Sequence, residues 1–190
     1  RDTGTIELKK VWSGTGGQTT LNIGTTSGGT DIANVQTGTN GSTPLTTGQQ
    51  TVPTSTYYLS ETDGLDNYTK SPLVCFNDAN NNGSQDTGES SVTVGTNDSV
   101  DVKKGDHVIC SYTNTRQQGT IIVKKVMVGG TGEFTFTGTP SGTIDTDGGT
   151  LSATVDTGQY STTESTLAGW ELTSISCDDG TSSIPSTWDL

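Results

Sequence analysis

Twelve residues carry the densest chemistry of this chain: Asp78-Ala79-Asn80-Asn81-Asn82-Gly83-Ser84-Gln85-Asp86-Thr87-Gly88-Glu89. They match the calcium-loop pattern D-x-[DN]-x-[DN]-G-x5-E at every defined position. Asp78, Asn80 and Asn82 would supply side-chain oxygens, and Gly83 permits the sharp turn that wraps a short chain around one Ca2+ ion. Ser84 would add its backbone carbonyl, Asp86 would act directly or through water, and Glu89 would close the shell with both carboxylate oxygens. The alternative is a solvated Asn/Asp turn in a chain rich in such residues. Residues 73–76 and 92–94 flank the loop and read as strands. An ion here would therefore pin a loop between strands, a structural role rather than a signalling one.

The cysteines offer a second kind of stitch. Cys75 closes one strand-like run and Cys110 lies on a later one, so the two can pair across a sandwich. Such a bond contributes roughly 2–4 kcal/mol to a small domain. Cys177 has no evident mate, and an odd count suggests truncation or pairing with another chain. Three free buried thiols are the alternative. His107 is the sole histidine, with no serine or cysteine nucleophile pattern beside it, so a hydrolase triad is not supported. Asp178-Asp179 would make at most a weak cation site, and a turn explains the pair as well. The sequons at Asn40, Asn67, Asn82 and Asn97 arise readily in so Asn- and Thr-rich a chain.

These residues need a scaffold, and the composition indicates which kind. Of 190 residues 26 are glycine, 27% are hydrophobic and 6% aromatic, which suits thin β-sandwiches better than one large core. A net charge of −12 with nine basic residues argues against nucleic acid or an anionic membrane as partner. No apolar run is long enough to span a bilayer or serve as a secretion signal. The chain begins at Arg1 without a methionine, which suggests a processed or excised segment.

The sequence also repeats itself. Gly4-Thr5-Ile6-Glu7-Leu8-Lys9-Lys10-Val11 recurs as Gly119-Thr120-Ile121-Ile122-Val123-Lys124-Lys125-Val126, identical at six of eight positions. Tyr57 and Glu61 recur as Tyr160 and Glu164, Tyr68 corresponds to Trp170, and Cys75 to Cys177. The expected domains are a complete module over 1–116 and a second, incomplete one over 119–190, joined by Gln117-Gln118. Each reads as all-β: Ile6, Leu8, Lys10 and Trp12 alternate with Glu7, Lys9 and Val11, and turn clusters recur every ten residues or so. A seven-strand antiparallel, immunoglobulin-like sandwich per module follows. In the first strand Lys10 shares the inward phase of Ile6 and Leu8, while Lys9 should face water. Trp12 and Trp170 should plug the ends of their sandwiches, and Trp188 should pack on a neighbour. The second copy has no counterpart of residues 108–115. Its open edge is expected to be completed by further chain or by a strand from another molecule.

Tyr57-Tyr58-Leu59-Ser60-Glu61-Thr62 fits the pattern Y-x-L-x-E-T. Here the chain resembles the prealbumin-like B-type modules of collagen adhesins and the shaft modules of Gram-positive pilins. With its calcium loop between strands, it is also similar to the B modules of serine-aspartate repeat adhesins. The resemblance covers both copies, with different loop lengths. It implies that a first-strand lysine attacks a last-strand asparagine, with a buried carboxylic acid promoting an intramolecular isopeptide bond. By that resemblance Lys10, Glu61 and Asn114 would be linked amine, catalytic acid and linked amide. The alternative leaves Lys10 pointing outward at the strand end, merely paired with Glu61. In the second module Lys125 and Glu164 stand in matching positions, but Thr162 and Ser165 replace the motif's Leu and final Thr and the asparagine is missing. The function implied is a structural stalk or filament subunit of an extracellular cell-surface adhesin or pilus. Its partners would be neighbouring domains or subunits. A ligand-binding adhesin domain contacting host, matrix or glycan is the alternative; a secreted enzyme would need a carboxylate cleft or aromatic platform, and neither is evident.

Overall fold

The computed structural model describes residues 1–177, which separate into two compact units, Arg1–Gly119 and a second that begins at Thr120. Trp188 and Asp178-Asp179 lie outside the described residues.

The first unit is built from β1 (Thr3–Ser13), β2 (Thr20–Gly24), β3 (Ala33–Gln36), β4 (Gln50–Pro53), β5 (Ser55–Thr62), β6 (Tyr68–Lys70), β7 (Val74–Asn77), β8 (Ser91–Val92), β9 (Ser99–Val102) and β10 (His107–Arg116). One sheet runs β4-β1-β10-β7-β8, with β6 also on β10; the facing sheet runs β3-β2-β5-β9. The strands form where apolar side chains alternate. Gly4, Ile6, Leu8 and Lys10 of β1 are buried, whereas the residues between them are partly exposed. Ile6, Leu8, Val108, Cys110 and Tyr112 of the first sheet share one core with Leu21, Ile23, Tyr57, Leu59, Val100 and Val102 of the second.

One pairing differs from the antiparallel expectation. β1 and β10 run parallel, with Lys10 opposite Tyr112 and Trp12 opposite Asn114. Parallel neighbours need a long crossover, and almost the whole module lies between these two strands. The remaining pairings of the unit are antiparallel.

The second unit contains β11 (Gln118–Lys124), which starts at the boundary, β12 (Phe134–Gly138), β13 (Gly142–Ile144), β14 (Thr150–Asp156) and β15 (Thr162–Glu164). They form a β11-β14 pair and a β13-β12-β15 sheet. Met127, Phe134, Phe136 and Ile144 make its core, with Val123, Leu151, Leu167 and Trp170 packed around them. β1 has a strand on each edge, but among the described residues β11 pairs with β14 alone. Ile122, Val126 and Val128 are correspondingly exposed.

Candidate crosslink and cation sites

Lys10 reaches inward from β1 and Glu61 reaches inward from β5 in the facing sheet. Their side chains meet with Nζ 2.8 Å from Oε2, both fully shielded from solvent. Asn114 lies on β10, two register pairs beyond Lys10 and on the same inward phase, and is 0% exposed. Neither its Nδ2 nor its Oδ1 has a hydrogen-bond partner among the described residues. A buried polar group left unpaired costs about 1–3 kcal/mol, so an unsatisfied carboxamide in a core needs an explanation. Trp12 covers the cluster: Lys10 Nζ lies 4.6 Å from its ring centre. That ring packs at 4.8 Å on Tyr68, whose hydroxyl donates to the Thr15 carbonyl at 2.9 Å. Burial pushes the Lys10 pKa down, and the adjoining Glu61 offsets only part of this, leaving it below the ordinary lysine value. An amine in this setting moves toward its neutral, nucleophilic form.

Residues 78–89 close on themselves. Asp78 is buried, and its carboxylate accepts the N–H groups of Asn82 at 3.1 Å and Gly83 at 2.7 Å. Gly83 adopts φ +82°, a conformation that a side chain would strain. Glu89 reaches back from the far end: Oε1 accepts from Ala79 N–H at 2.8 Å and Oε2 from Asp86 N–H at 2.9 Å. The carboxamides of Asn80 and Asn82 converge on Asp86 Oδ2 at 2.8 and 2.6 Å. Three of the predicted ligand side chains thus gather at one point, while Asp78 and Glu89 fix the two ends. Burial pushes the Asp78 carboxyl up, but the N–H groups of Gly83, Asn82 and Asn81 and the adjacent His107 outweigh it and hold it below the usual range. Among the described residues no three His, Cys, Asp or Glu side chains group as a metal site by themselves. A cation here would rely on carboxamide and backbone oxygens as well, a donor set that suits calcium.

Two contacts to this loop were not legible in the sequence. The Lys9 ammonium donates to the Gly83 carbonyl at 2.8 Å, so Lys9 does not simply face water. The His107 ring lies 3.7 Å from the Asp78 carboxylate, and its backbone N–H donates to Asn77 Oδ1 at 2.8 Å.

Cys75 and Cys110 form a disulfide. They are direct register partners on β7 and β10, so the bond joins neighbouring strands of one sheet instead of crossing between sheets. In the second unit Lys125 Nζ meets Glu164 Oε1 at 2.7 Å and sits 4.0 Å from the Phe134 ring centre. This is the first unit's Lys–Glu arrangement in a less buried setting. Cys177 is free and exposed. Trp170 packs edge-on against Phe134 at 5.2 Å.

Comparison with known proteins adds the following. A prealbumin-like fold domain family matches residues 2–112, and a second family of the same description matches residues 121–190. Among solved structures, the Bacillus anthracis TIE protein is similar at 14% identity and a TM-score of 0.45. The match covers 89% of this chain and 30% of that one, so the chain spans under a third of its length. A likeness of this degree carries no argument about function. No curated protein sequence matches.

Proposed function

The chain belongs to the prealbumin-like fold domain family, and from that premise we propose that it is a load-bearing segment of an extracellular cell-surface adhesin or pilus-like fibre. Tandem domains of this kind serve as structural modules, and neighbouring subunits are their natural partners. The observation that carries the proposal is the buried Lys10–Glu61 pair beside an Asn114 carboxamide with no hydrogen-bond partner among the described residues.

The chemistry is an amide exchange. Lys10 passes a proton to Glu61 across their 2.8 Å contact, Nζ attacks Asn114 Cγ, and the Glu61 carboxyl donates a hydrogen bond to the amide carbonyl as negative charge develops there. Glu61 then relays the amine proton to the departing nitrogen. The Nζ–Cγ bond forms, the Cγ–Nδ2 bond breaks, and one ammonia leaves. The product joins β1 to β10, the parallel pair at the centre of the sheet. It also resolves the unsatisfied carboxamide.

Calcium held by Asp78, Asn80, Asn82, Ser84, Asp86 and Glu89 would supply positive charge that ties both ends of the loop together. In the second module Lys125 and Glu164 repeat the pair, and β11, which among the described residues pairs with β14 alone, could take on its other edge a strand from a further segment or donated by a neighbour. The exposure of Ile122 and Val126 supports this reading.

Pulling the chain by its ends tests the stalk role. A bond between residues 10 and 114 bypasses the chain between them, so the first unit should add no unfolding step. The Glu61→Gln variant, under reducing conditions, should add a step of roughly 350 Å. A wild-type chain that gives the same long step contradicts the proposal.

A further inference from the structure

We infer that Lys9 is a positioning residue for the cation loop, holding residues 78–89 closed against the outer side of β1 before a cation arrives; this rests on the calcium reading of that loop. The tie is long-range and specific. Lys9 and Gly83 lie 74 positions apart, and the ammonium donates to the Gly83 carbonyl at 2.8 Å in a half-buried setting. Gly83 is thereby gripped from both sides. Its N–H is held by Asp78 Oδ2 at 2.7 Å, and its carbonyl by Lys9.

The consequence follows from peptide planarity. The Gly83 carbonyl and the Ser84 N–H belong to one rigid plane, and that N–H donates to Asn82 Oδ1 at 2.8 Å. Fixing the carbonyl therefore fixes the plane that orients Asn82 and leads into the Ser84 carbonyl, two of the six proposed ligands. The approach is close: a Cβ on Gly83 would stand 3.2 Å from Lys9 Nζ. Lys9 also adjoins Lys10, so the loop is fastened to the strand that carries the proposed crosslink.

Two effects of the ammonium on a cation oppose each other. Its charge repels calcium, whereas its hydrogen bond removes the cost of ordering the loop. The hydrogen bond is a direct contact, whereas residues 79–82 and 84–88 are exposed, so solvent screens the repulsion between ammonium and cation. Ordering therefore wins, and Lys9 aids binding.

The test compares the whole chain with Lys9→Met, which keeps the apolar stem, and with Lys9→Arg, which keeps the charge and donors. In chelator, amide exchange at residues 79–86 should run about tenfold faster in Lys9→Met, in line with loss of one charge-assisted hydrogen bond, with β1 and β10 core amides unchanged. Calcium titration by calorimetry should show about tenfold weaker binding, partly restored in Lys9→Arg. Unchanged loop exchange overturns the inference, and so does calcium binding that is equal or tighter in Lys9→Met, because repulsion would then dominate. A wild-type chain that takes up no calcium overturns the calcium reading and the role toward a cation with it, while the exchange arm still shows whether Lys9 fastens the loop.

Discussion

Replacing both cysteines of the Cys75–Cys110 disulfide, as Cys75→Ala/Cys110→Ala, should cost the first unit a definite amount of stability. The bond closes a loop with a sequence separation of 35. Loop-closure entropy for that length corresponds to about 3.8 kcal/mol at 25 °C. The proposed Lys10–Asn114 bond would enclose this loop in a larger ring, which shortens the effective loop only modestly and lowers the figure to about 3.4 kcal/mol. The disulfide and the isopeptide bond are therefore nearly independent reinforcements, not duplicates. Both cysteines lie in the core, so loss of their sulfur contacts adds to the entropic part. For a unit of 119 residues, unfolding entropy of about 0.25 kcal/mol/K converts the loss to a Tm drop of about 15 °C. Differential scanning calorimetry of the double variant, with circular dichroism to establish that it folds, makes the measurement. A drop under about 5 °C would refute the reasoning, because neither entropy nor packing would then hold these strands together.

Two further outcomes are expected. Chelation should lower the Tm of the first unit; with calcium at a hundredfold its dissociation constant the loss is about 2.7 kcal/mol, and an unchanged calorimetric midpoint would remove the ion from the account. The pH dependence has a fixed sign: Asp78 titrates below the ordinary aspartate value when folded, so the unfolded chain binds more protons in the acid range. The stabilisation is complete above the unfolded-state pKa of about 3.9 and disappears as pH falls through the folded value. Denaturation curves from neutral to acid pH should show this slope flattened in Asp78→Asn.

The inward row of β1 could be read from alternation alone, because Ile6, Leu8 and Lys10 keep a period of two. That phase turns Lys10 inward, the resemblance to B-type modules sets Glu61 beside it, and the structure places the two 2.8 Å apart. Alternation says nothing about strand order, however. The parallel pairing of β1 with β10 depends on how the two sheets close around Leu21, Leu59 and Val108. For the same reason the cysteine pair was foreseen while its geometry was not: strand order decides whether Cys75 faces Cys110 within a sheet or across the sandwich. The Lys9 contact was hidden for a different reason. An outward lysine meets water unless a loop folds over it, and where residues 78–89 come to rest is a tertiary outcome. The cation pattern itself was plain, since Asp78, Gly83 and Glu89 hold defined positions in a local turn.

The account is tested most directly by the intact mass of the denatured, reduced chain beside its Glu61→Gln variant. It predicts that the wild-type chain is lighter than its sequence by about 17 Da, one ammonia, and that the variant has its full sequence mass. A wild-type chain at full mass would mean that Lys10 and Asn114 are only neighbours.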